Sequence, residues 1–301
     1  MNAEILAHLC CPDCRGGLQE HAGALECSAC GRTYEVRDGI PVLLPSRLPN
    51  PDELEVRRKV SEEVTGSAAL RERYARHHFA RLAQLRLERT LRPGSRVLDV
   101  GIGWGVVWLP FRESIDLWGI DFSFESLVAA REIYRSEGLE PPRLICASLD
   151  AIPIRDLRFD LVQSTQVYQH IPSREAIVDS FRQILDGLLA SDGSFVVENL
   201  NYAYARTAAA LRARVRRSVP RFERERTSGD YHLRYWDEDD VRSLVSDAGG
   251  GRVEVVHTES LFHPELRFRP RSRALARADD ALSRTPVARR LARQLTAVTS
   301  R

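Results

Sequence analysis

The chain has a single methionine, and Lys59 is its only lysine. It has no apolar run of the ~18 residues that a membrane-spanning helix requires. The absence of such a run excludes a helical membrane protein. Met1 to Leu9 carries no basic start and no extended apolar stretch, so no secretory leader is expected and a cytoplasmic setting is. The use of arginine in place of lysine runs through the whole chain, including the clusters at 206–226 and 267–293. It points to compositional bias ahead of a nucleic-acid surface. Net charge is close to balance, at +2, and 43% of residues are hydrophobic, enough for a packed core. Of the six cysteines, five stand within the first thirty residues. Cys146 is the exception and falls in an apolar strand, which argues against a nucleophilic cysteine.

What the N-terminus does have is two knuckles, Cys11-Pro-Asp-Cys14 and Cys27-Ser-Ala-Cys30. Cysteines two residues apart turn both sulfurs toward one ion, and two such pairs supply the four thiolates of a tetrahedral site. The segment between them, Leu18 to Leu25, reads as a hairpin turning at His21-Ala22-Gly23-Ala24. A second pair of short strands flanks Asp38-Gly39 within Tyr34 to Leu44. This is a zinc ribbon in outline, too small to fold on its core alone. The spacing does not distinguish zinc from iron, and a disulfide framework is disfavoured where no leader precedes it. Cys10 is a bystander or an alternative ligand. Four thiolates leave no open coordination position, so the metal is expected to be structural.

Pro45, Pro49 and Pro51 form a linker, and 52–92 is helical and charged, with Leu82, Leu85 and Leu91 as an apolar stripe ending at Pro93-Gly94. Strands and helices then alternate. The strands are expected at Arg96–Val100, Leu117–Asp121, Arg143–Ala147, Phe159–Gln163 and Gly193–Glu198. Helices are expected from Val106, over Ser126–Ser136 and over Arg174–Leu189. Such alternation implies a parallel sheet covered on both faces. Asn201 to Trp236 interrupts it with an Ala/Arg-rich helix and an aromatic segment. A helix over Asp237–Ala248, a strand over Gly251–Glu259, a second insertion at 264–290 and a last strand over Leu291–Ser300 follow.

Val97-Leu-Asp99-Val-Gly101-Ile-Gly103-Trp-Gly105 carries an apolar strand into three alternating glycines. Such a turn brings backbone close to a ligand at the strand's carboxyl end. Val106 stands where a dinucleotide fingerprint has its third glycine, which disfavours a nicotinamide or flavin cofactor. The second strand ends in Asp121, a carboxylate able to accept both hydroxyls of a ribose, followed by Phe122, able to lie on an adenine. With this segment the chain resembles the class I S-adenosylmethionine-dependent methyltransferases, from about Arg92 to the C-terminus. The resemblance implies a Rossmann-like seven-stranded sheet in the order 3-2-1-4-5-7-6 with strand 7 antiparallel.

It also implies that Asp99, Gly101, Gly103, Gly105, Asp121 and Phe122 bind S-adenosyl-L-methionine. Ser148-Leu149 stands where the family has an adenine-contacting Asp-Ala, with Asp150 two places on. Ser164 and Gln166 flank the transfer site in Gln163-Ser-Thr-Gln-Val-Tyr-Gln-His170-Ile-Pro, and Tyr74 closes over the methionine end. His170 and His232 are the candidate bases, although transfer from a sulfonium makes a base optional. Tyr168, Glu198, Asn199, Tyr202, Tyr204, Arg206, Arg234 and Tyr235 are the candidate acceptor contacts, the insertion at 201–236 acting as a lid.

Leu9-Cys-Cys-Pro-Asp-Cys through Gly39-Ile-Pro-Val-Leu-Leu resembles the small zinc-binding domain that partners tRNA, rRNA and release-factor methyltransferases. The expected organisation is therefore a ribbon over 1–46, linker and helices over 47–92, and a catalytic domain over 93–301. The leading expectation is O-methylation of a small molecule: a sugar, an aromatic or polyketide-type metabolite, or a lipid-linked glycan. The alternatives are an RNA- or protein-directed enzyme and a non-catalytic adaptor. Peripheral membrane contact through the amphipathic stretch 269–293 is a further expectation; oligomeric state is left open.

Overall fold

The computed structural model describes residues 3–48, 86–215, 217, 222–228, 231–258, 273–283 and 285–300. Tyr74, Leu82, Leu85, Lys59 and most of the segments 52–92 and 264–272 lie outside the described residues.

After a short helix, α1 (Ala3–Ala7), the ribbon consists of β1 (Leu18–His21), β2 (Ala24–Cys27), β3 (Thr33–Arg37) and β4 (Ile40–Leu43). Ala22 and Gly23 link β1 to β2 with φ of 50° and 83°, and Asp38 and Gly39 link β3 to β4 with 51° and 78°. Two successive positive φ values give the turn whose twist matches antiparallel strands, which Asp38-Gly39 suits and which Ala22-Gly23 adopts with Gly23 in the second position.

The catalytic fold supplies β5 (Arg96–Val100), β6 (Asp116–Asp121), β7 (Arg143–Ala147), β8 (Phe159–Thr165) and β9 (Leu189–Leu200). β10 (Glu225–Ser228) and β11 (Tyr231–Arg234) form a separate hairpin, and β12 (Val253–Thr258) and β13 (Gln294–Ser300) close the main sheet. β5 to β9 are parallel, and β13 runs antiparallel to both β9 and β12. Read along the catalytic portion the order is β7-β6-β5-β8-β9-β13-β12, the implied topology.

The expectation of seven strands needs a correction. β4 pairs in parallel with β7, Val42 opposite Cys146 and Leu43 opposite Ala147, so ribbon and catalytic fold share one eleven-stranded sheet. Their interiors merge too. Leu9, Leu18, Leu25, Tyr34 and Leu43 belong to the same buried cluster as Leu98, Ile120, Phe159 and Phe181.

Helices cover both faces. α2 (Phe124–Ser136) starts at Ser123, whose hydroxyl accepts from Ser126 N, and packs Leu127, Ala130 and Tyr134 on one face with Trp108 and Leu87. α3 (Arg174–Arg182) and α5 (Glu238–Asp247) cover the other face through Ile177, Phe181, Val241 and Leu244. α5 begins in a capping box between Asp237 and Asp240, which satisfies two N-terminal donors reciprocally. α3 is shorter than expected. Its last turn widens over Gln183–Leu188, and β9 starts at Leu189, ahead of the expected Gly193.

The first insertion holds α4 (Tyr202–Val215) and the β10–β11 hairpin. The second contributes α6 (Arg273–Leu282) and α7 (Ala288–Leu291), the latter packed on α4. The final strand is shorter than expected and begins at Gln294 because Ala288–Leu291 is helical. Among the described residues no helix is long and apolar enough to cross a membrane.

Candidate functional site

The sulfurs of Cys11, Cys14, Cys27 and Cys30 all lie within 4.8 Å of one another. Cys11 Sγ is 3.8 Å from Cys30 Sγ, and Cys14 Sγ is 3.5 Å from Cys27 Sγ. A tetrahedron with metal–sulfur bonds of ~2.3 Å has edges of about 3.8 Å, so the donor set fits a four-thiolate metal centre. Cys10 is outside it, buried, with its N–H donated to Pro153 O. Backbone N–H groups of the knuckles face the sulfurs, and that of Cys30 leads in pulling the Cys27 thiol down to about 7. Around the centre the Tyr34 hydroxyl lies 3.0 Å from Cys11 Sγ and 3.1 Å from Asp13 Oδ2, while Asp13 also accepts from Ser46 and Arg32. Sequence reasoning missed this outer ring. An Asp inside a knuckle was its only signal.

The glycine turn follows β5 with φ of 81°, 52° and 64° at Gly101, Gly103 and Gly105. Gly101 packs against the loop after β8, where an added Cβ would stand 2.3 Å from Val167 Cγ2; beside Gly103 there is open space. A turn tight on one side and open on the other is a cradle for a ligand that needs the backbone itself. Asp121 stands across from it. Its Oδ2 accepts from Gly103 N at 2.9 Å and its Oδ1 from Ser123 N at 2.9 Å. These two backbone donors orient the carboxylate at the carboxyl end of β6, facing the glycine turn. Phe122 is the next residue and begins the turn into α2.

Asp99 lies beneath this turn, fully enclosed, accepting from Trp108 Nε1 at 2.5 Å. Burial, with a smaller push from Asp121, raises its carboxyl to about 7. The folded protein therefore holds a proton that the unfolded chain releases near 3.8, and stability falls as pH rises between these values and levels off above 7. Asp99→Asn keeps an acceptor for the indole and abolishes this slope, which is at most about 1.4 kcal/mol per pH unit. Urea melts at pH 5 and pH 8 should show the variant gaining on the natural protein at the higher pH. An equal gap at both would refute the burial account.

Ser148 and Leu149 follow β7, both buried, and the Ser148 hydroxyl bonds the Asp150 carboxylate. Ser164 is fully buried and donates to Val100 O at 2.8 Å, bracing β8 on β5. Gln166 takes φ of 58° and donates its N–H to Glu198 O. Glu198 Oε2 accepts from Thr296 at 2.9 Å and pairs with Arg86 at 3.3 Å. Neighbouring Asn199 is buried, and among the described residues neither of its amide atoms has a hydrogen-bond partner, a site that a ligand polar group would satisfy. Tyr168 needs correction as an acceptor contact. It is wholly buried, bonded to Ser180 and edge-on to Phe181, a core residue with a satisfied hydroxyl.

The two histidines join the loop after β8 to the first insertion. His170 Nδ1 lies 2.9 Å from His232 O and its Nε2 lies 3.2 Å from Gln169 Nε2, so a neutral ring protonated on Nδ1 satisfies both. His232 contacts Thr227 through Nδ1, and burial lowers its pKa. Phe222 lies between Tyr202 and Tyr235 with both ring pairs tilted, and Arg206 and Arg224 stand over the Tyr202 ring. Arg224 and Arg234 both reach Asp240 in the α5 cap. The aromatics and arginines of the first insertion are thus brought together, and these contacts tie the insertion to α5; Tyr204 lies on the same α4 helix.

A family model described as a methyltransferase domain matches residues 97–187. One described as Trm112p-like protein matches residues 3–39. The malonyl-[acyl-carrier protein] O-methyltransferase of Geobacter sulfurreducens is 31% identical over 221 residues, covering 70% of this chain and 77% of that protein. The phosphatidylethanolamine N-methyltransferase of Cereibacter sphaeroides is 32% identical over 132 residues, 43% of this chain and 61% of that protein. In structure, the CcbJ methyltransferase from Streptomyces caelestis superposes with a TM-score of 0.51 at 17% identity, covering 73% of this chain and 88% of that one. That likeness is one of fold.

Proposed function

The chain belongs to the class I S-adenosylmethionine-dependent methyltransferases and has a Trm112-like four-cysteine domain in front of the catalytic fold, and from that premise we propose that it methylates an acidic oxygen of a small-molecule acceptor. When bound, S-adenosylmethionine supplies a methyl group already activated on a sulfonium. The chain's own task is then alignment. Asp121 accepts from the ribose hydroxyls, Gly101 to Gly105 let the backbone approach, and the Ser148 hydroxyl and Leu149 line the adenine side. Gln166, at the end of β8, flanks the transfer point, and Asn199 offers an amide to the acceptor. The four thiolates would hold zinc with no coordination position left open for chemistry.

One observation carries the choice of an acidic oxygen. His170 engages both ring nitrogens, on Gln169 and on His232 O; the His232 ring is held between Thr227 at Nδ1 and Glu225, 3.6 Å from Nε2; and Glu198 is paired with Arg86. An acceptor that ionises unaided, such as a carboxylate, needs no proton taken from it in the transition state. The O-methyltransferase named among the relatives supports the same reading.

The test is transfer of labelled methyl from S-adenosylmethionine to a panel of free and carrier-bound carboxylates, phenols, sugars, bulk tRNA and protein. The expected product is a methyl ester, whose label leaves as volatile methanol in alkali. Label stable to alkali, or found in RNA alone, would overturn the reading. The Trm112p-like domain favours RNA or protein as the second acceptor class.

A further inference from the structure

The first cysteine knuckle does more than hold a metal. Arg15 directly follows Cys14 and takes a left-handed φ of 63°, a conformation fixed by the knuckle, with Arg15 N donating to Cys11 O at 2.9 Å. From there its guanidinium spans two alternate carbonyls of the segment after β7: it donates to Ile152 O and, at 2.8 Å, to Ile154 O. A planar fork of donors on one rigid base suits two carbonyls on the same side of an extended strand. The other side of this segment is held by Gln183, whose amide accepts from Ile152 N at 3.1 Å and donates to Asp150 O. The segment is short, and it begins at Ser148 and Leu149. Its position therefore sets the adenine wall of the cofactor crevice.

We propose that Arg15 is a positioning residue that couples occupancy of the four-cysteine centre to cofactor affinity. The inference rests on the S-adenosylmethionine reading above and adds to it a link between two sites. A metal fixes the knuckle, the knuckle fixes Arg15, and Arg15 fixes the path of Ile152 to Ile154. A loosened knuckle leaves the crevice wall to be ordered at the moment of cofactor binding, at the expense of affinity. Linkage is reciprocal, so saturating the crevice tightens the metal by the same factor.

The connection can be cut without detaching the ribbon. Cys10 N to Pro153 O at 3.0 Å, Arg155 N to His8 O at 2.9 Å and the β4–β7 pairing are backbone contacts that Arg15→Ala leaves in place. In the full-length zinc-loaded protein, calorimetry with S-adenosylhomocysteine should show Arg15→Ala binding about tenfold more weakly, an ordinary size for coupling between sites. Arg15→Lys, reaching one carbonyl with a point charge, should recover part of that loss. Zinc affinity, measured by competition with a chromogenic chelator, should rise about tenfold when S-adenosylhomocysteine saturates the natural protein, and stay unchanged in Arg15→Ala. A merely structural arginine would not move that second readout. Unchanged cofactor affinity in an Arg15→Ala variant that retains its zinc would sink the coupling alone. A natural protein that fails to bind S-adenosylhomocysteine would sink the cofactor reading, and the coupling with it.

Discussion

Asp121→Ala is expected to lower affinity for S-adenosylhomocysteine by about two to four orders of magnitude while leaving the protein folded. Two hydrogen bonds from ribose hydroxyls to a carboxylate contribute about 1.5–3 kcal/mol each, and that sum corresponds to this range. The carboxylate also organises the crevice before any ligand arrives, through Gly103 N and Ser123 N. Its removal leaves those two donors to water and frees the entry to α2. Asp121→Asn keeps the shape and one good acceptor, so its loss should be the smaller of the two. Calorimetry gives the affinities, and thermal melts of the unliganded variants separate lost binding from lost structure. Natural affinity in Asp121→Ala would show that the nucleoside does not lie along β6.

Cys27→Ser is expected to remove the metal and to loosen the ribbon on the larger fold. Elemental analysis of the natural protein should find one zinc per chain, and iron in its place would correct the assignment. Structural zinc supplies about 10 kcal/mol or more to isolated modules. Here the ribbon also packs on the catalytic core through Leu9, Leu25 and Leu43, so only part of that contribution is at stake. A fall in Tm on the order of 10 °C follows if a few kcal/mol are lost. Cys146→Ser is the control. Cys146 is buried in β7 apart from the sulfur cluster, and burial pushes its thiol up to about 12, so it holds neither metal nor reactivity. Its replacement should leave zinc content unchanged. A Cys27→Ser protein that retained a full zinc complement would exclude the four-thiolate centre.

The sequence made the catalytic topology legible because each strand there announces itself locally. Apolar runs such as Val97–Val100 and Leu117–Ile120 are buried on both faces, and the glycine turn and Asp121 mark the carboxyl edge that a ligand would occupy. The cysteine spacing was equally direct, since two residues between sulfurs admit few geometries. Pairing between distant segments was not legible. Nothing in Ile40–Leu43 indicates that its other neighbour is Arg143–Ala147, because a short parallel pairing leaves no local pattern. The β10–β11 hairpin was hidden for a related reason: Glu225, Arg226 and Thr227 lack the alternation of a half-buried strand. Side-chain roles were the least legible. Tyr168 sits in a motif that the family resemblance puts beside the transfer point, yet its neighbours Ser180 and Phe181 make it core. The lid arginines meet Asp237 and Asp240, an arrangement that only the folded cap of α5 creates.

The parallel pairing of β4 with β7 has a cost for anyone who divides the molecule. A catalytic fragment cut away from residues 3–48 would bare the outer flank of Arg143–Ala147, with its unpaired amides and carbonyls offered to any passing strand. Such a fragment should self-associate on expression, and adding the separate ribbon peptide with zinc should restore a monodisperse particle by recapping that flank.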